Sequence, residues 1–151
     1  MIIDERLQFA DATALDTSGT NTDLIGDVID LGSTPQDYGN GETMYFVLYV
    51  TNAVTSGGSA TVQFHLASDA QAAIATDGSA SYHWSSPAIA VADLVVGYKL
   101  VVPVPVGASV PYEQFLGLLT TTGTAALTGG AVDAFLTFNP GHWTTYPDAV
   151  N

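Results

Sequence analysis

Cysteine is absent from the chain, which removes disulfides, thiolate metal ligands and thiol nucleophiles together and leaves the redox compartment unread. Positive charge is almost absent too: Arg6 and Lys99 are the only two cations against 15 acidic residues, a net charge of −13. Two cations cannot neutralise a row of phosphates, so no nucleic acid is expected as a partner, and the same imbalance opposes docking on anionic lipid. Long apolar runs are missing. The longest, Met44 to Val50, has seven residues where a spanning helix needs about 20, so no membrane helix is expected. The opening Met1-Ile2-Ile3-Asp4-Glu5-Arg6 has neither the basic start nor the apolar centre of a secretory signal, and no export address is read from it.

What is present is apolar. Charged residues make up 11% against about 25% in a typical soluble domain, while apolar residues reach 47% and mean hydropathy is +0.28. That is too little charge for an exterior that meets only water. With a membrane helix set aside, the expectation is that neighbouring protein covers part of the surface. A length of 151 residues suits one domain with one complete core.

Turn residues recur roughly every 10 to 15 positions, at Ser18-Gly19, Gly39-Asn40-Gly41, Ser56-Gly57-Gly58, Asp77-Gly78, Val106-Gly107, Thr122-Gly123 and Gly129-Gly130. Between them apolar and polar residues alternate: Leu7 and Phe9 with Gln8 and Ala10, then Val62, Phe64 and Leu66 with Thr61, Gln63 and His65. Both stretches read as half-buried strands. Thr43 to Val50 has no polar face, so that strand should be covered on both sides, by its own core and by something else, for which a subunit partner would serve. Tyr98, Leu100 and Val102 form one face of a strand that ends at Pro103 and Pro105, since proline gives no ladder N–H and suits an edge. The spacing predicts a closing hairpin from Tyr112 to Leu119, a turn at Thr120-Thr121-Thr122-Gly123 and a return from Thr124 to Phe138, with Gly129-Gly130 as a bulge. Only Asp69 to Ala75 looks briefly helical. About eight strands without a long helical period predict an all-β fold, a jelly roll or another two-sheet antiparallel β-sandwich, over residues 1–138 with an N-terminal arm of about residues 1–9 and a tail at 139–151.

No group of residues carries an obvious reaction. His65, His83 and His142 show no ligand spacing for zinc. Nine of the 15 carboxylates lie between Asp4 and Glu42 in turn-like segments and read as a solvated acidic rim, and a glycosidase pair among them cannot be placed. Asp16, Asp23, Asp27 and Asp30 offer oxygen ligands of the type calcium takes, without EF-hand spacing. There is no Gly-x-Ser-x-Gly elbow, and Gly57-Gly58 is followed by neither lysine nor a helix, so neither serine catalysis nor nucleotide binding is expected. Tyr82, Trp84, Tyr98, Tyr112, Trp143 and Tyr146 read first as core or interface packing and second as a sugar-stacking platform. The chain is therefore expected to have no catalytic residue, no cofactor and no metal.

Several segments, taken in order, resemble the jelly-roll decoration (cement) proteins of tailed-phage capsids. They are Ile3-Asp4-Glu5-Arg6-Leu7-Gln8-Phe9-Ala10-Asp11-Ala12, Val28-Ile29-Asp30-Leu31-Gly32, Gly41-Glu42-Thr43-Met44-Tyr45, Ser56-Gly57-Gly58-Ser59-Ala60-Thr61-Val62-Gln63-Phe64 with Ala67-Ser68-Asp69, and Ile89-Ala90-Val91-Ala92-Asp93-Leu94 leading into Leu100-Val101-Val102-Pro103-Val104-Pro105. The resemblance spans roughly residues 1–138 and rests on order and spacing, because each motif is made of common strand and turn residues. It implies a homotrimer of jelly rolls on the outer capsid surface of the virion, made in the host cytoplasm, with the major capsid protein as partner and the N-terminal arm as anchor. Two features depart from that pattern: Tyr112-Glu113-Gln114-Phe115-Leu116 lacks arginine, and the chain after Phe138 is long. The contact residues expected on this reading are Ile2, Ile3, Arg6, Leu7 and Phe9 in the arm, Met44, Phe46 and Leu48 in the apolar strand, and Trp143 and Tyr146 in the tail. The alternative is a carbohydrate-binding jelly roll of a phage tail or secreted protein, using Trp84 or Trp143 and calcium. A hydrolase with a carboxylate pair is the third and weakest reading.

Overall fold

The computed structural model describes residues 5–33, 42–106 and 110–141. A 3-10 turn at Glu5–Leu7 leads into β1 (Gln8–Ala14), followed by β2 (Thr22–Asp30), β3 (Tyr45–Ser56), β4 (Thr61–Asp69), β5 (Ser81–Ser85), the two-residue β6 (Ile89–Ala90), a second 3-10 turn at Val91–Asp93, β7 (Lys99–Pro103), β8 (Phe115–Gly123) and β9 (Leu127–Thr137). All pairings are antiparallel. One sheet has the order β1-β9-β3-β7 and the other β2-β8-β4-β5, with β6 also on β4. Apart from β4 to β5 and the short β6, each strand passes to the opposite sheet from the one before it, which is the jelly-roll way of winding a double sheet. The all-β sandwich expected from the sequence is therefore the fold.

The core forms where alternate residues of both sheets meet. From the first sheet come Phe9, Phe46, Leu48, Val50, Val132, Ala134 and Leu136; from the second come Ile25, Ile29, Val62, Phe64, Leu66, Leu116 and Leu118. The 2.0 period is strict along β4, whose Val62, Phe64 and Leu66 turn inward as their alternation predicted. The strand with no polar face is β3. Its even-numbered residues enter this core, while Tyr45, Val47 and Tyr49 join Phe135 in a separate cluster on the opposite face. Both faces of β3 are thus buried within a single chain, Val47 at 0% and Tyr49 at 4% exposure, and a subunit partner is not required to cover it.

Two local expectations fail for physical reasons. Asp69 to Ala75 is not helical: Asp69 accepts hydrogen bonds from the backbone N–H groups of Gln71 (3.1 Å) and Ala75 (3.0 Å), which replaces a helical ladder with a loop closed on one carboxylate. Ile74 of that loop packs with Ala67, Ala80 and Leu119 on the outside of the second sheet, over Gly117, where any side chain would collide with it. The predicted closing hairpin is also not one. β8 runs straight through Thr120-Thr121-Thr122, since β-branched threonines favour a strand and Thr120 and Thr122 find partners in Phe64 and Val62 of β4. The chain turns only at Thr124, whose φ is +71°, and β9 then joins the other sheet, so β8 and β9 form an arch between layers. The irregularity expected at Gly129-Gly130 is present as a register shift against β3. The edge role of the Pro103 strand is as predicted, because β7 ends at Pro103 at the rim of the first sheet.

Candidate functional site

At the end of the sandwich where β2, β7 and β9 stop and β3 and β8 begin, the layers do not close completely. A cavity of about 250 Å³ opens there, lined by apolar side chains that include Leu7, Met44, Leu116 and Leu136, with Arg6 and Asp30 at the same opening. Its walls are fixed by backbone bonds: Val104 N–H donates to Met44 O at 2.8 Å and Leu31 N–H to Gln114 O at 2.7 Å. Asp30 is held by Gly32 N–H at 2.8 Å and by Gln114 Nε2 at 3.2 Å. Arg6 enters on the turn Glu5–Leu7, none of whose residues is buried. The result is an apolar socket with one guanidinium at its mouth, on a chain that has only one other cation. Such a socket suits an aliphatic or aromatic side chain of a partner rather than a polar substrate.

Tyr112 closes one wall of the socket. Its hydroxyl donates to Pro105 O at 2.7 Å, burial pushes its pKa up to about 12, and its ring stacks on His83 with centroids 3.7 Å apart. His83 Nε2 lies 2.7 Å from Ser68 Oγ, which also accepts the Glu113 N–H at 3.0 Å, while His83 Nδ1 is buried without a hydrogen-bond partner. This serine-histidine contact is invisible in the sequence, where the two lie 15 residues apart. It is not a nucleophilic pair, because Ser68 is 0% exposed and no substrate can reach its oxygen. His65 is a second packed histidine, bonded through Nδ1 to Ser85 Oγ at 2.7 Å and through Nε2 to Thr121 Oγ1 at 3.0 Å.

Burial lowers the pKa of both histidines below 6.5, against a smaller opposing pull from Glu113 on His83. A histidine with a depressed folded pKa stays neutral in the fold while the unfolded chain takes up its proton first. Stability is therefore fully present above about pH 6.5 and falls as pH drops below it. The urea midpoint is expected to decline between pH 7 and pH 5, and His83→Gln with His65→Gln should flatten that slope. An unchanged slope in the double variant would remove the histidines as its cause.

The sequence-selected residues divide cleanly. Arg6, Leu7 and Met44 meet at the socket. Phe9, Phe46 and Leu48 do not belong to any surface: at 1%, 1% and 0% exposure they are core residues, which corrects their assignment as contacts. Ile2, Ile3, Trp143 and Tyr146 lie outside the described residues, as does His142. Trp84 packs on Phe46 at 6.0 Å, Tyr82 meets the His65 ring and Tyr112 meets His83, so each of these three rings has a packing partner within the fold. Of the four candidate calcium ligands, Asp16 and Asp23 approach each other through Asn21, whose Nδ2 donates to Asp23 at 2.7 Å and to Asp16 at 3.4 Å. Burial and the charge of Asp16 raise the Asp23 pKa, while hydrogen bonding to Ser18 lowers that of Asp16. Among the described residues no three histidine, aspartate or glutamate side chains gather as a metal site.

Among the described residues the exposed large apolar side chains are Val95, Val96 and Val101, before and within β7, and Val106, Val110 and Phe138, around the connections that follow β7 and β9. The sequence did not mark these side chains as exposed, because all but Val101 lie outside the strands, where no alternation assigns a face. No curated protein matches the chain. A family profile described as Bbp16 matches residues 9–136. That stretch opens on Phe9 in β1 and closes on Leu136 in β9, taking in every strand of both sheets, and the chain belongs to the Bbp16 family.

Proposed function

We propose that this chain is a structural virion protein that decorates the outer surface of a tailed-phage capsid as a homotrimer, with the major capsid protein as its partner. The observation that carries the reading is the exterior itself. A jelly roll with two cations, an apolar socket beside its first strand and, among the described residues, exposed large apolar side chains around β7 suits protein contact. Covering apolar area contributes about 25 cal/mol per Å², less the cost of association, and distributing that gain over several capsid subunits is how a cement stabilises a shell. A closed threefold ring suits a lattice that already contains threefold positions. The net charge of −13 keeps the free protein dispersed until a specific contact captures it.

The test is sedimentation with heads that lack the protein. It is expected to travel with the heads at saturable stoichiometry, and the free protein to have about three times the 15.6 kDa mass of one chain. A monomer that stays in the supernatant at micromolar concentration would remove the assignment.

A further inference from the structure

β5 carries one residue more than its pairing with β4 requires. Leu66 pairs with Trp84 and Ala67 with Tyr82, so a single step along β4 is matched by two along β5, and the extra residue is His83. Without this bulge the period of 2 would place Tyr82 and Trp84 on one face. With it, Trp84 packs against the main core while Tyr82 joins the cluster on the outside of the second sheet. His83 is left without a ladder partner between them, its ring stacked on Tyr112 and its Nε2 2.7 Å from the Oγ of the fully buried Ser68.

The hydrogen bonds around Ser68 set the protonation state of that ring. Ser68 Oγ accepts the Glu113 N–H at 3.0 Å, which leaves its own hydrogen in need of an acceptor, and among the described residues His83 Nε2 is the acceptor bonded to it. The ring is then neutral, with its hydrogen on Nδ1, the buried atom that has no hydrogen-bond partner. A proton added at Nε2 turns the acceptor into a second donor and orphans the Ser68 hydroxyl as well. One buried donor left unpaired shifts an equilibrium by roughly 5- to 150-fold. Burial of the ring opposes the cation further, and outweighs the pull of Glu113, whose carboxylate accepts from Ser81 Oγ at 2.7 Å. The face of the Tyr112 ring also attracts a cation, but neither group gives Ser68 an acceptor. Asp69, beside Ser68 on β4, is occupied by the N–H groups of Gln71 and Ala75, and Arg6 and Asp30 belong to the lining of the socket.

Tyr112 carries this state to the socket, which it lines together with Leu7, Met44 and Leu136, while its chain neighbour Glu113 hangs by its N–H from Ser68. We infer that His83 and Ser68 are positioning residues for the socket: neutral His83 holds the Tyr112 ring in place as a wall, and a proton on His83 releases that wall and weakens the contact made there. This deepens the proposed function, and its consequence for capsid binding rests on that reading, whereas the coupling of His83 to Tyr112 does not.

The first measurement needs no capsid. Nuclear magnetic resonance follows the His83 imidazole, the Tyr112 ring and the Met44 methyl group of the full chain from about pH 7.5 to about pH 5.5. The Tyr112 and Met44 signals are expected to move with the midpoint of the imidazole, and to do so in a His65→Gln background too. In His83→Gln, whose amide oxygen still accepts from Ser68 but takes no proton, they should match the parent at the upper pH and stay there. His83→Phe keeps a ring on Tyr112 but offers Ser68 no acceptor, so both signals should be displaced at every pH. Tyr112 and Met44 signals that stay fixed while the imidazole titrates would overturn the inference, as would acid unfolding before any titration of His83; neither outcome depends on a variant that folds. The second measurement is co-sedimentation with heads over the same range, where parent affinity should fall roughly tenfold and that of His83→Gln stay level. Equal losses in the two proteins would overturn the role of His83. Coupled titration in a protein that binds no heads at any pH would support the positioning role and overturn the capsid reading instead.

Discussion

Gly26→Ala is expected to destabilise the fold by about 3–5 kcal/mol, enough to leave much of the protein unfolded or insoluble given a total stability of roughly 5–15 kcal/mol. The residue is exposed, so burial is not the reason. It sits in the middle of β2 with φ at +66°, where residues 26–28 stand opposite Gly117 alone, between the pairs Ile25↔Leu118 and Ile29↔Leu116. The bulge lies where β2, at the edge of one sheet, passes close to β1, at the edge of the other. A Cβ at position 26 would lie 1.9 Å from Phe9 O and 3.0 Å from its carbonyl carbon, and no rotamer relieves a clash with backbone. Relief requires moving β1, whose Phe9 and Ala10 are 1% and 2% exposed and locked in the core. Gly78→Ala is the control, because φ there is +92° but nothing lies within 4 Å of a new Cβ. It should cost only the conformational part, about 1 kcal/mol. Urea unfolding of the two variants side by side reads the difference, and equal losses would show that the approach of β1 and β2 is not tight.

Gly26 also illustrates what a sequence conceals. Alternation in Val62-Gln63-Phe64-His65-Leu66 was legible because one face of β4 is wetter than the other, and parity along the strand then assigns each residue. The same rule gave no answer in Met44 to Val50, where both faces are apolar. Phe46 and Leu48 therefore read as surface contacts as readily as Tyr45 and Val47, although they are core. The approach of β1 to β2, the assignment of β8 and β9 to different sheets and the stack of His83 on Tyr112 are settled by tertiary packing. Their partners are chosen by the packing of two sheets, and local composition says nothing about them. At the socket, Arg6, Leu7 and Met44 were legible from their place in the arm and at the start of a strand. Asp30, Tyr112 and Leu136 were not, since each is an ordinary strand-end residue until the ends of five strands are brought together.

Deleting residues 1–6 is expected to weaken capsid binding at least tenfold while leaving the sandwich folded. Pairing of β1 begins at Gln8↔Phe135, and the turn Glu5–Leu7 contributes no buried residue, so the domain loses little when the arm is removed. The proposed capsid contact is expected to lose more. Arg6 stands at the mouth of the socket, and a charge-assisted contact there contributes about 1.5–3 kcal/mol, a factor of roughly 10 to 100 in affinity. Arg6→Ala should reproduce most of the loss in a chain of full length. Lys99→Ala changes net charge by the same amount, but Lys99 lies opposite Tyr49, four residues or about 13 Å along β7 from Pro103 and the socket end. It should leave binding unchanged, which separates a local contact from the field of the whole molecule. Co-sedimentation isotherms give the affinities and thermal melts confirm the fold. An arm-less protein that coats heads as well as the parent would take Arg6 and the socket out of the mechanism. The exposed valines Val95, Val96 and Val101 at the β7 edge would then be the next surface to test.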